Sequence, residues 1–251
     1  MSFGKPQDNL KTNPYAALAH NYSGPAAQAD VSDRVTFIRR TYMHLAAAVS
    51  TFIMLEVAIF SLFGDQILPM VQNTFTGMGW LVVMGAFMGA SWLASNWAHS
   101  NTSVSKQYLG LGLYVLAWTA IFVPILAIAK TYYPGAILTA STLTIIAFAG
   151  LTLTVFVTKA DFSFLRPALV VGSLVSIAAM VIGVVFSLPI FGVLFMSAMV
   201  LFSVGVVLYD TSRVLHNYRT DQYVGAALSL FSGLAMMFYY ILQLVMAFSR
   251  D

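Results

Sequence analysis

Few side chains here could do chemistry in an apolar setting. Six of them fall within or beside long hydrophobic stretches: His44, Glu56, His99, Asp210, Arg213 and His216. Asp210, in Leu208-Tyr209-Asp210-Thr211-Ser212-Arg213, matters most. A carboxylate close to hydrocarbon is costly to ionise, which marks it as a functional position. The chemistry open to it is holding a cation, pairing with a guanidinium or imidazole, or taking up a proton. Arg213 follows three residues later on the same helix face and could simply cap the acid. Asp210-Thr211-Ser212 puts a hydroxyl beside an acid, but no base and oxyanion arrangement can be read around it, so no enzyme is expected. No Walker, Rossmann or HExxH pattern occurs, and no cofactor is implied. Without cysteine there is no disulfide and no thiolate metal site.

The elements that position these residues follow from composition. The chain is 59% hydrophobic and 8% charged, against about 25% charged in soluble domains. Too little polar surface remains to cover a globule in water, so lipid is the solvent and the bilayer the first partner. Seven apolar runs stand out, near 41–63, 79–98, 108–129, 135–157, 168–186, 189–209 and 224–248. Each is long enough to cross roughly 30 Å of hydrocarbon as a helix. Open strands would leave edges unsatisfied in lipid, and β-barrel strands would alternate in polarity. The expected fold is an all-α membrane protein with seven transmembrane helices, residues 35–251, behind a flexible tail at 1–34. Pro69 and Asn73 are expected between the first two spans, Pro124 to kink the third, and Gly85-xxx-Gly89 to let helices approach.

Orientation follows from Lys and Arg. With the N-terminus in the cytoplasm, the inner segments hold Lys5, Lys11, Arg34, Arg39, Arg40, Lys106, Lys159, Arg166, Arg213 and Arg219. The outer segments hold Lys130 and Arg250. Seven spans then leave the C-terminus outside. These dispersed charges form no stripe for nucleic acid. Asn21-Tyr22-Ser23 and Asn101-Thr102-Ser103 match the glycosylation pattern but fall on the inner side, where it has no meaning.

Helix rise sets depth. Glu56 lies 16 residues past Arg40, about 24 Å up, in the outer half. His44 sits about 6 Å past Arg40, and Asp210 about 31 Å below Pro189. His99 closes the second span on the same inner side. Asp210, His44 and His99 therefore share a depth, and Glu56 is expected to line an outer vestibule.

At this point a family enters. Leu208-Tyr209-Asp210-Thr211-Ser212-Arg213-Val214-Leu215 resembles the signature after the sixth span of the Bax-inhibitor family. Phe37-Ile38-Arg39-Arg40-Thr41-Tyr42 looks like the basic-aromatic approach to that family's first span, and Ala226-Ala227-Leu228-Ser229-Leu230 like the start of its seventh. The resemblance covers about residues 35–248 and is to bacterial-type members. It implies six helices around a central seventh and a pH-sensitive calcium leak in an inner membrane. In bacterial relatives the site is a pair of aspartates, one in the Tyr-Asp-Thr motif and one in the seventh span, latched by an arginine from the second. Two adjacent buried carboxylates resist double ionisation and share a proton.

This chain departs from that pattern. Asp210 matches the first aspartate, but Gly233 stands where the second belongs, and span seven holds no acid. Span two ends in Asn96-Trp97-Ala98-His99-Ser100, without arginine. One carboxylate holds a divalent ion less well than two. Two readings follow: cation passage past Asp210, with calcium as the ion, or a non-conducting membrane partner that modulates a protease or stress protein. Under either, the sequence points to Arg213, His44 or His99 as the partner of Asp210 in place of the missing acid.

Overall fold

The computed structural model describes residues 25–74, 78–99, 103–186 and 192–249. Lys5, Lys11, Asn21, Asn101, the Ser187-Leu188-Pro189 link, Arg250 and Asp251 lie outside them. A short 3-10 turn, Ala26–Gln28, precedes seven α-helices: α1 Val31–Thr74, α2 Met78–Ala98, α3 Val104–Tyr132, α4 Ala136–Thr158, α5 Leu165–Val185, α6 Val193–His216 and α7 Tyr223–Phe248. All seven contain a stretch long and apolar enough to cross a membrane. The backbone satisfies itself within each helix, as hydrocarbon requires.

Local chemistry sets several ends. Ser103 is extended and its side chain accepts the Lys106 amide at 3.2 Å, capping α3. Gly135 opens α4 with φ 84°, a left-handed conformation that favours glycine. Lys159 closes α4 at φ 52°, its amide bonded to Val155 O.

The first helix differs most from the sequence reading. It runs 44 residues, about 66 Å, well beyond the hydrocarbon at its ends. Pro69 lies inside it rather than in a connection. The segment read as the end of a flexible tail is docked where it is described. Ala26 is fully buried, its amide donates to Tyr218 O at 2.7 Å, and Pro25 pairs with Arg219. The turn packs against α1 and α6, so burial overrides a tail-like composition.

At the centre, α7 packs against α1, α2, α3, α4 and α6, and α3 packs beside it. Phe122 of α3 is fully buried, 5.3 Å from Phe238 and 5.1 Å from Phe52 between ring centroids. α5 sits at the rim, mainly on α6. The expected approach at Gly85 and Gly89 is not used, for a Cβ at either would meet open space. The close approach is at Gly110 instead. A Cβ there would lie 2.5 Å from Ala94 O and from Ala98 N, so only glycine lets α2 and α3 touch.

Candidate functional site at the basic end of the bundle

The starts of α1, α3, α5 and α7 and the ends of α2, α4 and α6 gather at one end, with Arg39, Arg40, Lys106, Lys159, Arg166, Arg213 and Arg219. α6 continues to His216, seven residues past the apolar run. Asp210 is therefore inside a helix and not at its frayed edge. It is 8% exposed. Asp210 Oδ1 lies 3.5 Å from Arg213 Nη1, the expected i,i+3 pair. The Arg213 guanidinium sits 5.5 Å from the ring centre of Tyr209 and 5.0 Å from that of Tyr218, so two aromatic faces hold it in place.

Tyr218, in the α6–α7 link, joins three elements. Its hydroxyl is 2.8 Å from Ser229 Oγ on α7 and 3.1 Å from His99 Nε2 beyond α2. His99 Nδ1 lies 2.8 Å from Ser95 O and must donate there, because a carbonyl only accepts. Nε2 of the neutral ring then accepts from Tyr218, which accepts from Ser229. Burial pushes the His99 imidazole below its usual range, and the Arg213 charge adds to this against the Ser95 bond. Burial also pushes the Tyr218 phenol up. Both effects keep the chain neutral beside a single ion pair.

His44 stands apart. Its Nδ1 donates to Arg40 O at 2.7 Å, and Nε2 is 2.8 Å from Tyr108 Oη. The Tyr223 ring lies 5.0 Å from that of His44, and the Arg40 guanidinium is 5.6 Å from the Tyr223 ring centre. Of the three partners foreseen for Asp210, Arg213 makes the contact. His99 is one tyrosine removed, and His44 belongs to a separate cluster despite its depth.

His216 does not join Asp210 either. Its Nδ1 is 3.0 Å from Ser212 O, and Ser212 Oγ accepts the Phe162 amide at 3.0 Å. Ser212 thus ties α6 to the α4–α5 link, a structural use of the Asp-Thr-Ser run. In that link, the Ser163 side chain and amide hold Asp161 below the usual carboxylate range.

Glu56 departs from expectation. It is 6% exposed, and neither carboxylate oxygen has a hydrogen-bond partner. It does not line the bundle's large cavity of about 910 Å³. α1 turns this residue toward its packed face, with Phe52 and Phe60 one turn to either side. Gly233 is likewise explained by packing. A Cβ there would lie 3.0 Å from Val207 Cγ2, one turn before Asp210. The position of the second acid is filled by the α6–α7 contact.

Residues 34–250 match the family described as "Inhibitor of apoptosis-promoting Bax1". The chain belongs to this Bax-inhibitor family. Bacterial proteins are among its relatives. "Modulator of FtsH protease YccA" of Escherichia coli K12 is 32% identical over 97 residues, 39% of this chain and 44% of that protein. "Inner membrane protein YccA" of E. coli O6:H1 matches to the same extent. An "Uncharacterized membrane protein" of Vibrio cholerae is 29% identical over 103 residues, 41% of this chain and 46% of that protein. The chain thus matches less than half the length of these relatives. No solved structure matches it.

Sequence reasoning missed Tyr218, Ser229, Tyr108 and Tyr223. Their signal was faint: tyrosines at helix ends are ordinary interfacial anchors. Only the fold shows that two of them carry the histidines.

Proposed function

We propose that this Bax-inhibitor-family chain is a multi-pass inner-membrane protein that modulates a membrane protease and does not conduct ions with its basic end as described. The observation that carries this reading is the engagement of Asp210 by Arg213 at 3.5 Å, between Tyr209 and Tyr218. The positive guanidinium held beside this carboxylate opposes the approach of a second cation. Among the described residues no three His, Asp or Glu side chains stand together to hold one. The large cavity carries no charged lining residue, so it offers a cation no counter-charge. The E. coli relative's name, modulator of FtsH protease, supplies the class of partner.

The test is the rate at which FtsH protease degrades a membrane substrate in cells with and without this chain. The rate should change when the chain is expressed, and an Asp210→Asn, Arg213→Gln variant that still inserts should weaken the change. An unaltered rate under all conditions would remove the proposal.

A second reading keeps cation passage past Asp210, with calcium as the ion and pH as the control. It is favoured by one observation: an ionisable side chain at the family's site position is buried in the bundle. On that reading Arg213 is a latch, and its removal opens the path.

A further inference from the structure

The cavity of about 910 Å³ lies between α2, α3, α5, α6 and α7. It falls within the 300–1,000 Å³ range of small-molecule sites. Its lining includes Met84, Met199 and Met236, with Trp80, Phe87 and Phe202, and no charged side chain. Methionine and aromatic surfaces adapt to flexible or planar apolar ligands. Two polar atoms in this lining are buried and lack a hydrogen-bond partner: Ser91 Oγ and Trp118 Nε1. Trp118 is 6% exposed. The neighbouring Tyr114 hydroxyl donates to Ser232 Oγ at 2.6 Å; its oxygen lies near the indole N–H, but the contact falls short of hydrogen-bond geometry. A buried N–H left unpaired in hydrocarbon is costly, so such a donor marks a missing acceptor.

We propose that this cavity is a binding site for a neutral, hydrocarbon-soluble molecule whose carbonyl oxygen accepts from Trp118 Nε1 and Ser91 Oγ. Charge is excluded by the lining. Water alone would meet few polar partners on walls so apolar. Trp118 is 14 residues from each end of α3, about 21 Å along the helix, near mid-membrane. That depth requires a ligand able to bring its carbonyl below the headgroup layer. Two sources share this chemistry: an acyl chain ester of a bilayer lipid, or a free membrane-soluble carbonyl compound such as a quinone. The site is separate from the Asp210–Arg213 pair and does not depend on the protease reading.

The full chain in nanodiscs tests this by quenching of tryptophan fluorescence, since Trp80 and Trp118 both line the cavity. One arm titrates decyl-benzoquinone. The other exchanges in phosphatidylcholine with brominated acyl chains. Saturable quenching in the first arm assigns a free carbonyl compound, and in the second a bilayer lipid. Ser91→Ala should weaken the saturating arm about fivefold, the loss of one neutral hydrogen bond. Trp118→Phe keeps the ring, removes the N–H, and leaves Trp80 as reporter; it should weaken binding similarly. Quenching of the wild type that rises linearly with both probes, as simple partition into the bilayer predicts, would overturn the proposal. So would saturable quenching unchanged in both variants.

Discussion

Asp210 and Arg213 pair at 3.5 Å, one turn apart near the end of α6. The acid is nearly buried, the guanidinium about one-third exposed, and two tyrosine faces flank the pair. Removing Arg213 leaves an uncompensated carboxylate; Arg213→Ala should cost about 1–3 kcal/mol, reduced from a fully buried pair by solvent around the arginine. Asp210→Asn in the same chain should recover part of that loss, measured by thermal unfolding in detergent. His99 gives a pH response with a definite sign. Its imidazole in the folded chain lies below the unfolded value of about 6.5. The folded chain therefore binds fewer protons than the unfolded one, and stability is highest above pH 6.5. It should fall as pH is lowered below that value, and His99→Gln should flatten the curve between pH 7.5 and 5.5. An identical slope in that variant would place the response elsewhere. Position 210 was legible because an acid beside hydrocarbon is conspicuous. Tyr218 was not, because its role arises only when the α6–α7 link folds back between His99 and Ser229.

Seven helices could be read from apolar length alone, since hydrocarbon thickness fixes how long such runs must be. Their ends could not. α1 carries polar and charged residues before Thr41 and a proline at 69, yet stays helical from Val31 to Thr74. Outside hydrocarbon, hydropathy no longer marks a boundary. α6 likewise outruns its apolar run, and this turns an edge residue into a buried one. Close packing was misplaced for a related reason: glycine spacing shows where helices could touch, not where a partner is. The contrast is testable. Gly110→Ala would drive a Cβ into the α2 backbone at 2.5 Å and should destabilise by about 1–3 kcal/mol. Gly85→Ala and Gly89→Ala meet open space and should be neutral or stabilise by up to about 1 kcal/mol through helix propensity. Destabilisation of equal size at all three sites would contradict this packing.

The described residues form an apolar bundle most of whose basic side chains gather at one end, with Lys130 at the other. With the basic end in the cytoplasm, a reporter fused after Asp251 should be active only on the outer face; cytoplasmic activity would refute the orientation. The family's seven-helix architecture could be anticipated from the Tyr-Asp-Thr segment, but its two-acid site could not be carried over. Gly233 packs against Val207 where the second carboxylate would stand. Function depends on whether Asp210 is closed off by Arg213 or serves as an ion path. Calcium uptake by liposomes holding the purified chain, at pH 7, decides between them. Wild-type liposomes should take up calcium no faster than empty ones, and Asp210→Asn should change nothing. Uptake well above the empty control that is lost in Asp210→Asn would show that the carboxylate serves a conducting path, and the account would be wrong.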